Sequence, residues 1–432
     1  MRRLLLGGAI VTLGMMVTMP LNAASPFSMD VERTIPFKHN GTIEVENYNG
    51  NVLIHTWDNP EVKLKFTKTV QNVNNYNGKK VLENSDVLYK QVFNTLKFYN
   101  QIEGEVEPQS GKVPALVGNS YLIFNYEMWI PKNSNLYVKT TKGHVKANDL
   151  GGSAKVATTQ GNIELSDIFG AVHATSTSGF VKLNTIKGDV NAASADGNIT
   201  INDVRGEVNS SNSSGKMKLT NIFGPVKAIS TSGDQTLSDI HGKPYCQTTS
   251  GDIWLKKVYA PVTAKSDSGK ITAEDLTGET AGASNFTAKA GKVVLRKIAG
   301  DANIETESAH ASIDQITGDV KFNSNHGNLG ISKLYGTVTA QTVSGNMDIS
   351  AKLDQLNKPM SLKSKSGDIE LALPATVAAE VALKTTTGDI QTEFPITPFR
   401  EISSYEAQGT LGAGGPKISI TTESGDIELE RK

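Results

Sequence analysis

Thr158–Leu165 reads TTQGNIEL, Ser176–Leu183 reads STSGFVKL and Thr248–Leu255 reads TTSGDIWL. A hydroxyl residue, a glycine, and apolar residues two and four places beyond it return at a fixed interval. The glycines are Gly143, Gly161, Gly179, Gly197, Gly215, Gly233, Gly251 and Gly269, each 18 residues from the last. A second series runs midway: Gly152, Gly170, Gly188, Gly206, Gly224, Gly242, then Ala260 in place of glycine, then Gly278. Alternation over four residues means a strand with one face buried. A second inward pair follows eleven and thirteen places after the first glycine, as in Val172/Ala174 and Val226/Ala228. Each 18-residue unit is thus strand, corner, strand, corner, with the glycines giving backbone freedom at the turns. Stacked units pair each strand with its copy in the next, so the fold is an all-β, single-stranded parallel β-helix, or β-solenoid.

Outward from the repeats the pattern loosens. Gly269 to Gly291 spans 22 residues, which places a four-residue insertion in Thr280–Phe286. Residues 395–416 form an excursion before a last repeat, SGDIELE, at Ser424–Glu430. Upstream, Gly41 and Gly50 are nine apart and each is followed by alternating apolar residues (Ile43 and Val45, Val52 and Ile54), which reads as a first coil. An insertion at 71–118 interrupts it. There Ser85-Asp86 is placed to cap a short helix over Val87–Phe93, and Gly104–Asn119 reads as a loop. The expected organisation is a signal peptide at 1–24, an N-terminal β-rich cap and first coil at 25–140, and the solenoid at 141–432.

Residues 1–24 carry Arg2 and Arg3, an apolar run from Leu4 to Val17 and small residues at Ala23 and Ala24, the layout of a secretory leader. The run is broken by Gly7, Gly8 and Gly14 and is shorter than a spanning helix needs. No second segment of spanning length follows, so the expected product is exported to the periplasm, the cell surface or the medium. The chain of 432 residues has 43 basic and 44 acidic side chains, which is no nucleic-acid footprint. Its single cysteine, Cys246, excludes an intrachain disulfide or a cysteine-based zinc site. Cys246 falls on an inward column and reads as a small buried hydrophobe.

Two columns of the repeat could carry chemistry. Asp149, Asp167, Asp203, Asp239 and Asp275 sit six places after their glycines. A row of carboxylates is a weak candidate for divalent cations, and turn aspartates bonding their own backbone are the simpler account. Two places further on stand Phe169, Lys187, Arg205, Phe223, His241, Tyr259 and Tyr335. An aromatic and basic ridge suits a glycan or an envelope protein as partner; aromatics shielding a corner of the core are the structural alternative. Asp234, Asp252, Asp368, Asp389 and Asp426 follow repeat glycines, with no unique acid/base pair beside them. No nucleophile, phosphate-loop or metalloprotease motif is present, and no cofactor is expected.

GTIEVENYNGNVLIHTW (Gly41–Trp57), the repeated TSGDI-type turns and GAGGPKISITTESGDIEL (Gly412–Leu429) together resemble the bacterial putative-adhesin family of exported β-solenoid proteins. The shared residues are turn glycines and core aliphatics, so the resemblance implies a fold and carries over no catalytic residue. It implies a non-catalytic, adhesin-like binding or scaffold protein of the cell envelope. The alternatives are a polysaccharide lyase or hydrolase on the same scaffold, and an envelope sensor or accessory protein.

Overall fold

The computed structural model describes residues 27–38, 40–71, 75–102, 121–277, 282–353 and 355–432. The leader expected at 1–24, the loop expected over Gly104–Asn119, and Gly278 lie outside the described residues. The chain is nearly all β, a solenoid of about 13 stacked coils. It forms two compact units, residues 1–188 and 189–432.

Within each unit the repeat does what its spacing requires. In the first, Ile163 pairs with Val181 and Leu165 with Leu183 in a parallel ladder. In the second, Ile199, Met217, Gln235, Ile253 and Ile271 form one inward column on successive strands. Both strands of each coil bury their inward side chains almost completely, so the core is a continuous narrow strip between two parallel sheets. The insertion is real: Ile253 pairs with Ile271, whereas Thr263 pairs with Asn285, so the extra residues fall between Leu276 and Ser284.

The corners correct the role given to the glycines. None of the eight glycines from Gly143 to Gly269 has a positive φ. They are glycines because the coils touch there: a Cβ on Gly161 would lie 1.9 Å from the carbonyl oxygen of Gly143. The left-handed position is instead the sixth residue after them. Asp149, Asp167, Thr185, Asp203, Asn221, Asp239, Lys257 and Asp275 all have φ of 54–60°. Short polar side chains tolerate that conformation best, which explains the aspartate column.

At the start of the first unit the strands are β1 (Phe27–Pro36), β2 (Thr42–Asn49), β3 (Val52–Trp57) and β4 (Glu61–Gln71), followed by helix α1 (Asn75–Glu83). Then come β5 (Asp86–Val92), β6 (Thr95–Gln101), β7 (Tyr121–Pro131), β8 (Asn135–Lys142) and β9 (Val145–Leu150). The helix expected over Val87–Phe93 is a strand. Asp86–Val92 pairs antiparallel with β6 along its whole length, and cross-strand pairing overrides a weak helical spacing. The helix of this insertion lies upstream instead, at Asn75–Glu83. Lys68, buried on β4, donates to the carbonyls of Leu82 and Ser85 at 2.6 Å each. An ammonium thereby satisfies carbonyls at the end of α1 and ties it to the sheet. Burial lowers the Lys68 pKa, while the nearby Asp86 charge opposes that shift.

Gly41–Trp57 is a coil of the solenoid, but it does not lie at the end. β2 sits between β6 and β8, and β3 sits between β7 and β9. Beyond it β7 is covered by antiparallel β4, and β4 by β1. The C-terminal end of the second unit repeats this device. The last strands in sequence, Lys417–Ser424 and Ile427–Arg431, slot between Met360–Leu373 and the strands at Ala379–Lys384 and Ile390–Thr392. The excursion at 395–416 forms the end cap: Glu406–Leu411 runs antiparallel to Ala379–Lys384, and Ile396–Pro398 closes the row. The outermost strands are short, proline-bearing or, in β1, lined outward by Asp30 and Glu32, which blunts their free edges.

Candidate functional site

The ridge two places beyond the left-handed residue is assembled by backbone hydrogen bonds. The N–H of each member donates to the carbonyl of the core aliphatic one coil below: Phe223 to Val204, His241 to Ile222, Tyr259 to Ile240, all at 2.8–2.9 Å. This fixes one side chain per coil on one corner. In the second unit four consecutive members stack. The Arg205 guanidinium carbon lies 4.8 Å from the centre of the Phe223 ring. Phe223 and His241 stack at 4.6 Å and 5°, and His241 and Tyr259 at 4.6 Å and 15°. In the first unit Lys187 places its ammonium 3.7 Å from the Phe169 ring centre. Phe169, Phe223, Tyr259 and Tyr335 remain 39–47 % exposed, so they do not plug the core. Tyr335 stands apart: Thr277, Ala299 and Thr317 occupy the ridge positions between Tyr259 and it, judged by the same hydrogen-bond ladder.

Stacking alters what the ridge offers. Ring faces turn to one another along the coil axis, so the outward groups are ring edges, the Arg205 N–H fork, a His241 nitrogen and the Tyr259 hydroxyl. His241 Nε2 is 3.8 Å from the Asp239 carboxylate.

The aspartate column is brought into line but not into clusters. Asp203, Asp239 and Asp275 occur on alternate coils, with Asn221 and Lys257 between them. Asp149 pairs with Lys132 at 2.7 Å, Asp203 accepts from Asn221 Nδ2 at 3.1 Å, and Asp275 lies 3.8 Å from Lys297. The acids after the repeat glycines have a structural task. Asp234 Oδ1 accepts the N–H of Asp252, and Asp252 Oδ1 that of Lys270. Asp368 accepts from Asp426, and Asp426 from Asp389. Asn51, His144 and Asn162 play the same part in the first unit. The buried hydroxyls three places before the glycines, such as Ser176, Ser230 and Ser266, accept the glycine N–H at 2.8–2.9 Å. Cys246 lies in the column of Ala228 and Ala264, and burial pushes its thiol up to about 12, which removes thiolate reactivity at neutral pH.

Two features escaped the sequence reading. Trp254 is an exposed ring on the outward face of the strand that leads to Tyr259. Among the described residues, Glu370, Glu428 and Glu430 bring carboxylate oxygens within 4.8 Å of one another. Burial and the charges of Asp348, Glu430 and Glu428 raise the Glu370 pKa, against the pull of Lys432.

No helix among the described residues is long and apolar enough to cross a membrane. No curated protein matches the chain. Three solved structures resemble it. A putative cell adhesion protein from Clostridium sporogenes is 8 % identical, over 94 % of this chain and 100 % of that one, with a TM-score of 0.20. A putative adhesin from Bacteroides fragilis is 14 % identical over 70 % and 95 %, with a TM-score of 0.20. A putative lipid binding protein from Parabacteroides distasonis is 15 % identical over 75 % and 93 %, with a TM-score of 0.23. The Toastrack DUF4097 family model matches residues 14–220, 187–275 and 256–430, which together span both end caps and the coils between them. The chain belongs to the Toastrack DUF4097 family.

Proposed function

We propose that this protein is a non-catalytic binding protein of the bacterial cell envelope, and that it engages an extended glycan along the corner ridge of its second unit. The observation that carries the reading is the unbroken stack Arg205, Phe223, His241 and Tyr259, half exposed and without a core to shield. Successive coils are about 4.8 Å apart, close to the length of one pyranose ring, so polar groups on successive rungs can address successive sugars. Each contact is shallow, and affinity comes from their number. Four of the aspartates that follow repeat glycines, Asp234, Asp252, Asp368 and Asp426, are engaged as acceptors in the turn ladders described above.

The test is a glycan and peptidoglycan array probed with the protein and with a Phe223→Ser/His241→Ser/Tyr259→Ser variant. These side chains are exposed, so the variant keeps the fold. The proposal expects retained glycans to be lost at least about tenfold when three contacts go. An unchanged binding profile removes the ridge as the site.

A further inference from the structure

The hairpin of β5 and β6 ends in a two-residue loop, Phe93–Asn94, because Val92 pairs with Thr95. Phe93 adopts φ of 53°, at a position where two-residue hairpin loops favour glycine. Its side chain is 99 % exposed, so it contacts nothing in the fold. Val92 and Tyr89 on the same strand are also exposed. The loop is held firmly: Thr42 N–H donates to the Asn94 carbonyl at 2.8 Å, and Asn94 Nδ2 donates to the Asn40 carbonyl at 3.0 Å. A bulky apolar residue is therefore kept, on a rigid support, in a backbone conformation it disfavours and a solvent it disfavours. Folding explains neither.

The charges around the tip point to the partner. Lys90 lies three residues before Phe93, and Lys38 two residues before Asn40. Both are exposed, and neither has an ion pair among the described residues. Of the acids nearby, Glu44 and Glu46 pair with Lys97 and Asp86 with Arg33, while Glu61 stands opposite Pro36 in the β1–β4 ladder. A projecting Val-Phe tip, with Lys90 on its own strand and Lys38 near the Asn40 anchor of the loop, offers too little area for a stable protein interface. It matches an anionic bilayer surface, where an aromatic side chain enters the headgroup boundary and lysines remain at the lipid phosphates.

We infer that the Val92–Phe93 hairpin tip inserts into the interfacial layer of an anionic lipid membrane, with Lys38 and Lys90 pairing to lipid phosphate. The contact orients the protein on a membrane and is weak by itself. It rests on other residues than the glycan ridge and stands or falls separately.

The test is co-sedimentation of the protein with vesicles of phosphatidylethanolamine and phosphatidylglycerol, against vesicles of phosphatidylcholine alone. The protein is expected to bind the anionic vesicles, and less so as salt rises. Phe93→Gly is expected to weaken binding about tenfold or more, the effect of losing one inserted aromatic side chain. That variant suits the φ of the loop, so its melting temperature is expected to be no lower than that of the parent, which separates lost insertion from lost folding. Lys38→Gln/Lys90→Gln is expected to reduce binding about fivefold per lysine and abolish the preference for anionic lipid. In Phe93→Trp, emission from the added indole is expected to shift to the blue with anionic vesicles only. Failure of the parent to sediment with anionic vesicles, or equal sedimentation of Phe93→Gly, overturns the inference.

Discussion

Gln235 occupies a place meant for an aliphatic side chain. It is fully buried, and its neighbours in the inward column are Met217 and Ile253. Its Nε2 donates to the Gln247 carbonyl at 2.7 Å, but its Oε1 has no hydrogen-bond partner among the described residues. An orphaned buried acceptor costs about 1–3 kcal/mol. Gln235→Met fills a similar volume without that cost, and is expected to stabilise the protein by roughly 1 kcal/mol. A urea titration reads it as a higher midpoint at unchanged slope; a lower midpoint would mean that the amide earns its burial. The left-handed column shows how far single residues were legible. Aspartate at the sixth place after a glycine was visible in the sequence, and so was its alternative as a turn residue. What decides between them is a φ shared with Thr185 and Lys257, which no side-chain pattern displays.

Strands bring together what the sequence keeps apart. Asp348, Glu370 and Glu428 occupy one outward row on three adjacent strands. Like charges directly opposite one another destabilise a sheet, and burial first, then the charges of Asp348, Glu430 and Glu428, raise the Glu370 pKa. The sign follows from linkage. A carboxyl whose folded pKa lies above its unfolded value favours folding when protonated, and that contribution fades as pH rises from the ordinary glutamate value of about 4.3. Glu370→Gln is therefore expected to raise the melting temperature near pH 7 and to raise it less as pH falls below the ordinary glutamate range, where protonation of the parent removes the same charge. Equal shifts at neutral and acid pH would mean that charge is not the cause. The alternation that turns these side chains outward is plain in the sequence. Their adjacency is not, because the coil that follows 360–373 in the chain carries Gln391 at this place and lies one layer further out. The hairpin at 86–101 was missed for a related reason. Val87, Leu88, Tyr89, Val92 and Phe93 suit a helix by spacing alone, and only pairing with Thr95–Gln101, whose own fit depends on β2, makes the segment a strand.

At the scale of the molecule, the periodic stretch was fully legible and the two ends were not, since a repeat specifies its neighbours and an end has only one. Both ends meet the same problem, an open core and an unpaired ladder. Both meet it by tucking the terminal coil one layer inward and laying antiparallel strands over the layer left outside. At the C-terminal end this makes the last residues internal supports. Among the described residues, Ala379–Lys384 and Ile390–Thr392 have parallel partners only in Lys417–Ser424 and Ile427–Arg431, and the cap at Ile396–Leu411 in turn rests on Ala379–Lys384. Removing residues 417–432 should therefore do more than shorten the stack by a coil. The 379–411 layer loses its whole parallel ladder, while the strands from Val190 to Ala351 keep theirs. Hydrogen exchange on the truncated chain is expected to show protection lost throughout 379–411 and retained in 190–351, where a solenoid with coils in simple order would lose only its final coil. Protection persisting in Ala379–Lys384 would show that this layer can settle directly on Met360–Ser366. The same connectivity makes folding of this end wait for the end of the chain, because the outer layer has no place to dock until the last strands have entered beneath it.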